Sequence, residues 1–296
     1  LRVNMDAVYN HVSNASSFSQ NLIVPNYFFR RDDNGNLTSG SGCGNDVASE
    51  RPMVRKFIVD SVKYWANEYK MDGFRFDLMG LMDIKTINEI TTALNKIDPT
   101  ILVIGEGWNM GTLPANQRAN QLNIQKLNRV SHFNDQIRDG VKGSVFDSAD
   151  TGFATGKPGS RNDVMAGIVG NVDYSTSIST KWVTSYPGQS ENYVESHDNM
   201  TLVDKIKASV KDAKPSDIAQ LSQFSTSIAF LLGVLLTIIA LVPVIRWRNE
   251  RPTVEGKENS EGTFKAAVNL VKRPGIMAAI YISLAISSVA VVLVVF

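Results

Sequence analysis

Between Pro52 and Glu106 the apolar residues alternate between helical and strand period, and no other feature constrains the fold as tightly. Val54, Phe57, Ile58, Val62 and Trp65 recur at helical spacing, behind a Glu50 whose charge suits a helix N-terminus. Residues 73–78 then read as a short strand. Ile84, Ile87, Ile90, Leu94 and Ile97 share one face of a second helix that should stop near Asp98-Pro99. Residues 101–106 read as a further strand. Strand and helix in alternation predict an α/β fold with a parallel sheet and right-handed crossovers.

The same reading places strands at residues 1–8, Val130–Asn134 and 193–197, and a helix around Asn162–Val169. A last helix from about Pro215 carries Ile218, Leu221, Phe224 and Ile228 on its face. Residues 12–50 are polar and rich in Gly, Asn and Ser, so they read as a long loop with a hairpin turn at Asp33-Asn34-Gly35. Residues 109–129 read as loop and helix, and the stretch from 135 to about Ser160 as polar loop. The net charge of +1 gives no reason to expect a nucleic-acid partner. The single cysteine, Cys43, excludes an internal disulfide and a cysteine zinc site, and reads as a small buried residue. Three histidines are too scattered for a histidine metal cluster, and His132 reads as structural. No signal peptide is visible ahead of the strand at Leu1, which leaves secretion undecided.

The chemistry concentrates at strand ends. Period two points Arg75 and Asp77 to one side, where the cation keeps the carboxylate ionised. That is what a glycosidase nucleophile requires, although a structural ion pair has the same pattern. Residues 1–8 run into Asp6, Tyr9, Asn10 and His11, the strand at 101 ends in Glu106 ahead of Trp108, and the strand at 193 ends in His197 and Asp198. Carboxylates at successive strand ends read as the upper face of a (β/α)8 barrel.

These four segments, in this order, resemble the conserved regions of the alpha-amylase superfamily of glycoside hydrolases. The stretch from Gly40-Ser-Gly-Cys43-Gly-Asn45-Asp46 through Glu50-Arg51-Pro to Asp60-Ser61 is similar to type I pullulanases. The resemblance covers roughly residues 1–230. It implies a glycosidase cleaving α-1,6 bonds in branched α-glucans such as pullulan, starch and glycogen. The implied fold is an incomplete (β/α)8 TIM barrel, about strands three to seven, with residues 12–50 as a loop over the cleft. The first two strands would precede Leu1, and the Gly-Gln-Glu segment expected with the eighth is not found after Phe230.

Carried over residue by residue, Asp77 matches the nucleophile, Glu106 the general acid/base and Asp198 the third carboxylate, which binds sugar hydroxyls. Glu106 is then expected to sit where burial or neighbouring carboxylates raise its pKa. A retaining mechanism expects the Asp77 and Glu106 carboxyls to lie about 5–5.5 Å apart. Arg75 would hold Asp77, while His11 and His197 would touch the glucose at the cleavage point. Asp6 and Asn10 would support the site, with Asn10 a calcium ligand in some relatives; no other cofactor is expected. Tyr9 and Trp108 offer faces on which glucose can stack, or else are core aromatics. Asn4 departs from the pattern by placing an amide in a strand, where burial without a partner costs about 1–3 kcal/mol. Met200 and Val203 depart where relatives carry His and Trp. A barrel lacking strands cannot close, so the chain alone is expected to be inactive and poorly folded.

Residues 231–296 look different. No charge falls between Asp217 and Arg246, and a second uncharged run extends from Pro274 to Phe296. Stretches at 228–245 and 276–296 are each long enough, as helices, for a hydrocarbon core of about 30 Å. Between them lies a basic loop with Arg246, Arg248, Arg251, Lys257, Lys265, Lys272 and Arg273, and Trp247 sits at an interface-like position. This tail resembles the middle of a major facilitator transporter, which implies membrane lipid as a partner. The alternative function is therefore a membrane transporter fragment joined to pullulanase-like sequence near residues 231–233; buried soluble helices are the plain alternative for the tail. Location follows the tail: membrane if it spans, otherwise secreted or cytoplasmic.

Overall fold

The computed structural model describes residues 2–249. In chain order the elements are β1 (Asn4–Ala7), β2 (His11–Val12), α1 (Ser19–Ile23), β3 (Asn45–Asp46), α2 (Pro52–Glu68), β4 (Gly73–Phe76), α3 (Ile84–Ile97), β5 (Leu102–Gly105), β6 (Ser131–Asn134), α4 (Asp135–Lys142), α5 (Arg161–Ile168), β7 (Ser190–Asn192), α6 (Leu202–Ser209) and α7 (Pro215–Asn249), with short 3-10 turns between. They group into two units, residues 1–134 with 170–191, and residues 135–169 with 192 onward.

In the first unit the alternating pattern becomes a five-stranded sheet of order β1-β4-β5-β6-β7. β1 pairs β4, β4 pairs β5 and β5 pairs β6, all parallel. Phe74 and Phe76 of β4 are buried in a core shared with Val54, Ile58 and Val62 of α2 and Ile87, Ile90 and Leu94 of α3. The apolar stripes read from sequence are the faces these helices bury, except that Phe57 of α2 is exposed. α2 opens with Pro52 in its first turn, a position where the missing N–H costs nothing. Asp83 caps α3 by accepting from Thr86 N–H, and the helix stops at Asp98, ahead of Pro99.

Residues 12–50 are more ordered than a loop. β2 and β3 pair antiparallel, with His11 opposite Asp46. The expected hairpin turn is present: Gly35 has φ 82 and donates to Asp32 O, and a bridge joins Arg31 to Leu37. Cys43 is exposed rather than buried, since it follows Gly42, at φ 75, in a turn.

The second unit has its own core of Ile137, Val141, Val164, Val194, Leu202, Ile206 and Ile228. It includes α4, which falls in the stretch expected to be polar loop, and α6, which the sequence pattern does not single out. The strand expected at 193–197 is instead β7 at Ser190–Asn192. Tyr193 and Val194 supply the apolar signal, but the ladder ends before them; both are buried, Val194 in the core of this second unit. α7 runs without a break through the residues where the family-like part was expected to end. Among the described residues no helix is long and apolar enough to cross a membrane, so the membrane-spanning part of the expected fold, and with it a lipid partner and a transporter fusion, is not supported. The second apolar stretch, 276–296, and the basic loop from Arg251 on lie outside the described residues.

Candidate active site

Register brings the strand-end residues of the first unit together. Asp6 lies opposite Arg75, and Arg75 opposite Ile104. Partners across parallel strands share a face and side chains alternate, so Asp6, Arg75, Asp77 and Glu106 fall on one face at the C-terminal edge. The backbone fixes the two carboxylate-bearing ends: Asp77 N–H donates to Ala7 O at 3.2 Å and Glu106 N–H to Phe76 O at 3.1 Å.

Arg75 is the hub. Its Nη1 donates to Asp6 Oδ1 at 2.8 Å and to Asp77 Oδ1 at 3.1 Å, and its Nη2 lies 2.7 Å from Glu106 Oε1. The guanidinium side chain is only 13% exposed. Burial penalises its charge, but the Asp6 hydrogen bond and the charges of Glu106, Asp6 and Asp77 outweigh this and hold its pKa above the ordinary value. Glu106 is buried, and its Oε2 accepts from Leu78 N–H at 2.9 Å. Leu78 adopts φ 36, a left-handed conformation uncommon for leucine, directly after Asp77. On the other side of Asp77, Asn10 Nδ2 donates to Oδ2 at 3.0 Å and to the Asp77 carbonyl at 2.5 Å. With Nδ2 committed, Asn10 Oδ1 accepts from His11 Nδ1. One arginine thus spans three carboxylates on three neighbouring strands, and an amide steadies one of them.

Tyr9 and Trp108 flank these ends. The Tyr9 ring packs 6.2 Å from Phe76, its hydroxyl is paired with Ser61 Oγ of α2 at 2.8 Å, and burial pushes its pKa up. Trp108 is partly exposed in the loop after β5. His197 and Asp198 belong to the second unit. There they are exposed neighbours, with Nε2 of His197 3.6 Å from Asp198 Oδ1 and side chains 62% and 61% accessible. Ser196 Oγ donates to the Asp198 carbonyl at 3.2 Å. Among the described residues no group of three or more His, Cys, Asp or Glu side chains is arranged to hold a metal ion.

Other groups near the strand ends were not read from sequence as functional. His132 of β6 lies opposite Gly105, on the face away from the carboxylates, and its Nδ1 donates to Gly105 O at 3.2 Å. Burial pushes its pKa down to about 4. A Cβ on Gly107 would fall 2.4 Å from its ring, which accounts for a glycine just after Glu106. Glu191 of β7 is buried, and that burial pushes its pKa up to about 8. Arg30 and Asp46 are buried charged residues within 12–50, where no periodicity marks them.

Known pullulanases resemble the chain in sequence and in fold. No family model matches the chain. Over 207 residues it is 46% identical to the pullulanase of Bacillus subtilis, a match covering 70% of this chain and 28% of that protein. A chloroplastic pullulanase of Arabidopsis thaliana is 33% identical, over 70% of this chain and 27% of its own length. Among solved structures, a mutant pullulanase of Paenibacillus barengoltzii complexed with maltotriose superposes with a TM-score of 0.76 at 44% identity, over 78% of this chain and 36% of that one. A pullulanase of Anoxybacillus complexed with maltotetraose gives 0.73 at 43% identity, over 78% and 33%. Homology to pullulanases therefore extends over some 70% of the chain, while the chain spans 28% of the Bacillus subtilis relative.

Proposed function

We propose that this pullulanase-related chain carries the nucleophile and the acid/base of a retaining hydrolase of α-1,6 glucosidic bonds in branched α-glucans. Its five-stranded sheet corresponds to about strands three to seven of a (β/α)8 barrel. Asp77 attacks the anomeric carbon and forms a β-glucosyl-enzyme, while Glu106 protonates the departing glycosidic oxygen. Glu106 then takes a proton from the water that releases the sugar. Asp198 binds sugar hydroxyls, His11 and His197 contact the glucose at the cleavage point, and Tyr9 and Trp108 offer it apolar faces. Asp6 and Asn10 support the site. The observation that carries this reading is the single guanidinium of Arg75 bridging Asp77 and Glu106 on adjacent strand ends. The substrate class follows from the pullulanase relatives, two of which are solved with maltotriose and maltotetraose.

The decisive experiment grafts the matched stretch into the Bacillus subtilis pullulanase in place of its own. The graft is expected to release reducing ends from pullulan, and Asp77→Asn and Glu106→Gln are each expected to lower the rate by about three orders of magnitude or more. A folded graft whose activity survives Asp77→Asn would refute the assignment. The chain by itself is expected to show no turnover, assayed with and without added calcium.

A further inference from the structure

We infer that Arg30 and Asp46 are positioning residues for Asp77, acting through Asn10. The inference rests on the reading of Asp77 as the nucleophile. Arg30 is 6% exposed and donates in several directions. Its Nε and Nη2 hold both oxygens of Glu50, at 3.2 and 2.8 Å. Nη2 also reaches Val47 O at 3.1 Å and Leu81 O, in the segment after β4, at 3.4 Å. Nη1 donates to Thr112 Oγ1, in the loop after β5, at 3.1 Å.

Asp46 is fully buried and lies 3.7 Å from Arg30. Its carboxylate accepts from Thr38 Oγ1 and Thr112 Oγ1, each at 2.8 Å, and from Gly40 N–H. Thr112 Oγ1 thus accepts from the arginine and donates to the aspartate, closing a ring of three side chains. These contacts tie residues 30–50 to the loops that follow Asp77 and Glu106.

The network leads on to the nucleophile. Asp46 sits in β3, whose ladder partner β2 carries His11. The next residue, Val47, donates its N–H to Asn10 O at 2.9 Å. Asn10 in turn grips Asp77 through Nδ2. A buried carboxylate and arginine with this many charge-assisted bonds specify one geometry, because any displacement leaves buried polar groups unmet. The segment therefore behaves as a fixed wall rather than a mobile lid, and it sets the angle at which Asn10 meets Asp77.

The test is made by NMR on the grafted pullulanase with selective labels, without any hydrolysis. Asp46→Asn and Arg30→Lys are compared for three signals: the Asn10 side-chain amide, the titration of the Asp77 carboxyl carbon, and exchange of the Val47 amide. Lysine keeps the charge but loses the fork, so it is not expected to rescue. Both variants should shift the Asn10 signal, move the Asp77 titration midpoint and speed Val47 exchange about tenfold, while the α3 amides of Ile90 and Leu94 keep their rates. Thr112→Val, which removes only the bridging hydroxyl, should move the same signals less and guards against variants that fail to fold. Unchanged Asn10 and Asp77 signals would overturn the inference. So would equal acceleration of the α3 amides, which would mark a general loss of stability. Loss of activity in the grafted enzyme on Asp77→Asn bears on the nucleophile itself, so the two claims fail separately.

Discussion

Asp77 and Glu106 in the first unit and Asp198 in the second are carboxylates read from the same kind of motif, yet they are held in different ways. The first two end neighbouring parallel strands, receive backbone hydrogen bonds at fixed register, and share a mostly buried arginine. Asp198 follows a strand that has already ended, is 61% exposed, and meets His197 at 3.6 Å. A strand-end carboxylate inherits its position from the ladder. A loop carboxylate takes its position from whatever packs on the loop, and an exposed pair adds little.

The difference is sharpest under substitution. Arg75→Met removes the cation that Asp6, Asp77 and Glu106 share and leaves the buried Glu106 carboxylate without that pairing. Breaking such a buried pair is expected to lower stability by about 3 kcal/mol, read as a drop in the urea midpoint. Asp198→Asn, in contrast, should leave that midpoint in place, as surface changes usually do. Equal midpoints for the two variants would show that Arg75 is no structural hub.

Legibility follows the same division. The parallel sheet, α2, α3 and the approach of Arg75 to Asp77 were readable because period and register are local consequences of the residues involved. β7 was placed three residues late because its ladder residues, Ser190, Glu191 and Asn192, are polar while Tyr193 and Val194 carry the apolar signal. α4 was missed because Ile137 and Val141 are its only large apolar residues and Gly140 interrupts it. Asp46 was legible only as part of the pullulanase-like stretch and Arg30 not at all, because a buried polar network has no period; only the folded loop brings Thr38, Thr112 and Leu81 to them.

A second contrast, within the first unit, concerns pH. Glu191 has its pKa raised by burial to about 8, from 4.5. Between those values the unfolded chain is ionised and the folded one still protonated, so its contribution to stability is lost as pH rises, with a slope of about 1.4 kcal/mol per pH unit. His132, lowered to about 4 from 6.5, acts oppositely: the unfolded chain takes up the proton first, so stability is lost as pH falls below 6.5. The two slopes nearly cancel between pH 4.5 and 6.5. Above 6.5 only Glu191 of these two still acts, and its own contribution should fall by about 2 kcal/mol by pH 8. Glu191→Gln should flatten that upper limb and uncover the histidine slope below it. A variant with the parent's pH profile would show that Glu191 ionises normally in the fold.

The smallest expected effect lies at the quiet end of β1. Asn4 is paired in register with Gly73, and its Oδ1 is buried without a hydrogen-bond partner. A Cβ on Gly73 would come within 2.2 Å of that oxygen, so the amide occupies the space glycine leaves. Asn4→Val replaces it with methyl groups of similar size and a side chain suited to a strand, and should raise stability by about 1 kcal/mol. Asn4→Ala removes the polar group but also the packing over Gly73, and should gain less. The pair of variants separates relief of a buried oxygen from filling of space: if alanine gains as much as valine, the oxygen alone was the cost, and if valine lowers the urea midpoint, the amide has a partner in solution, such as an ordered water.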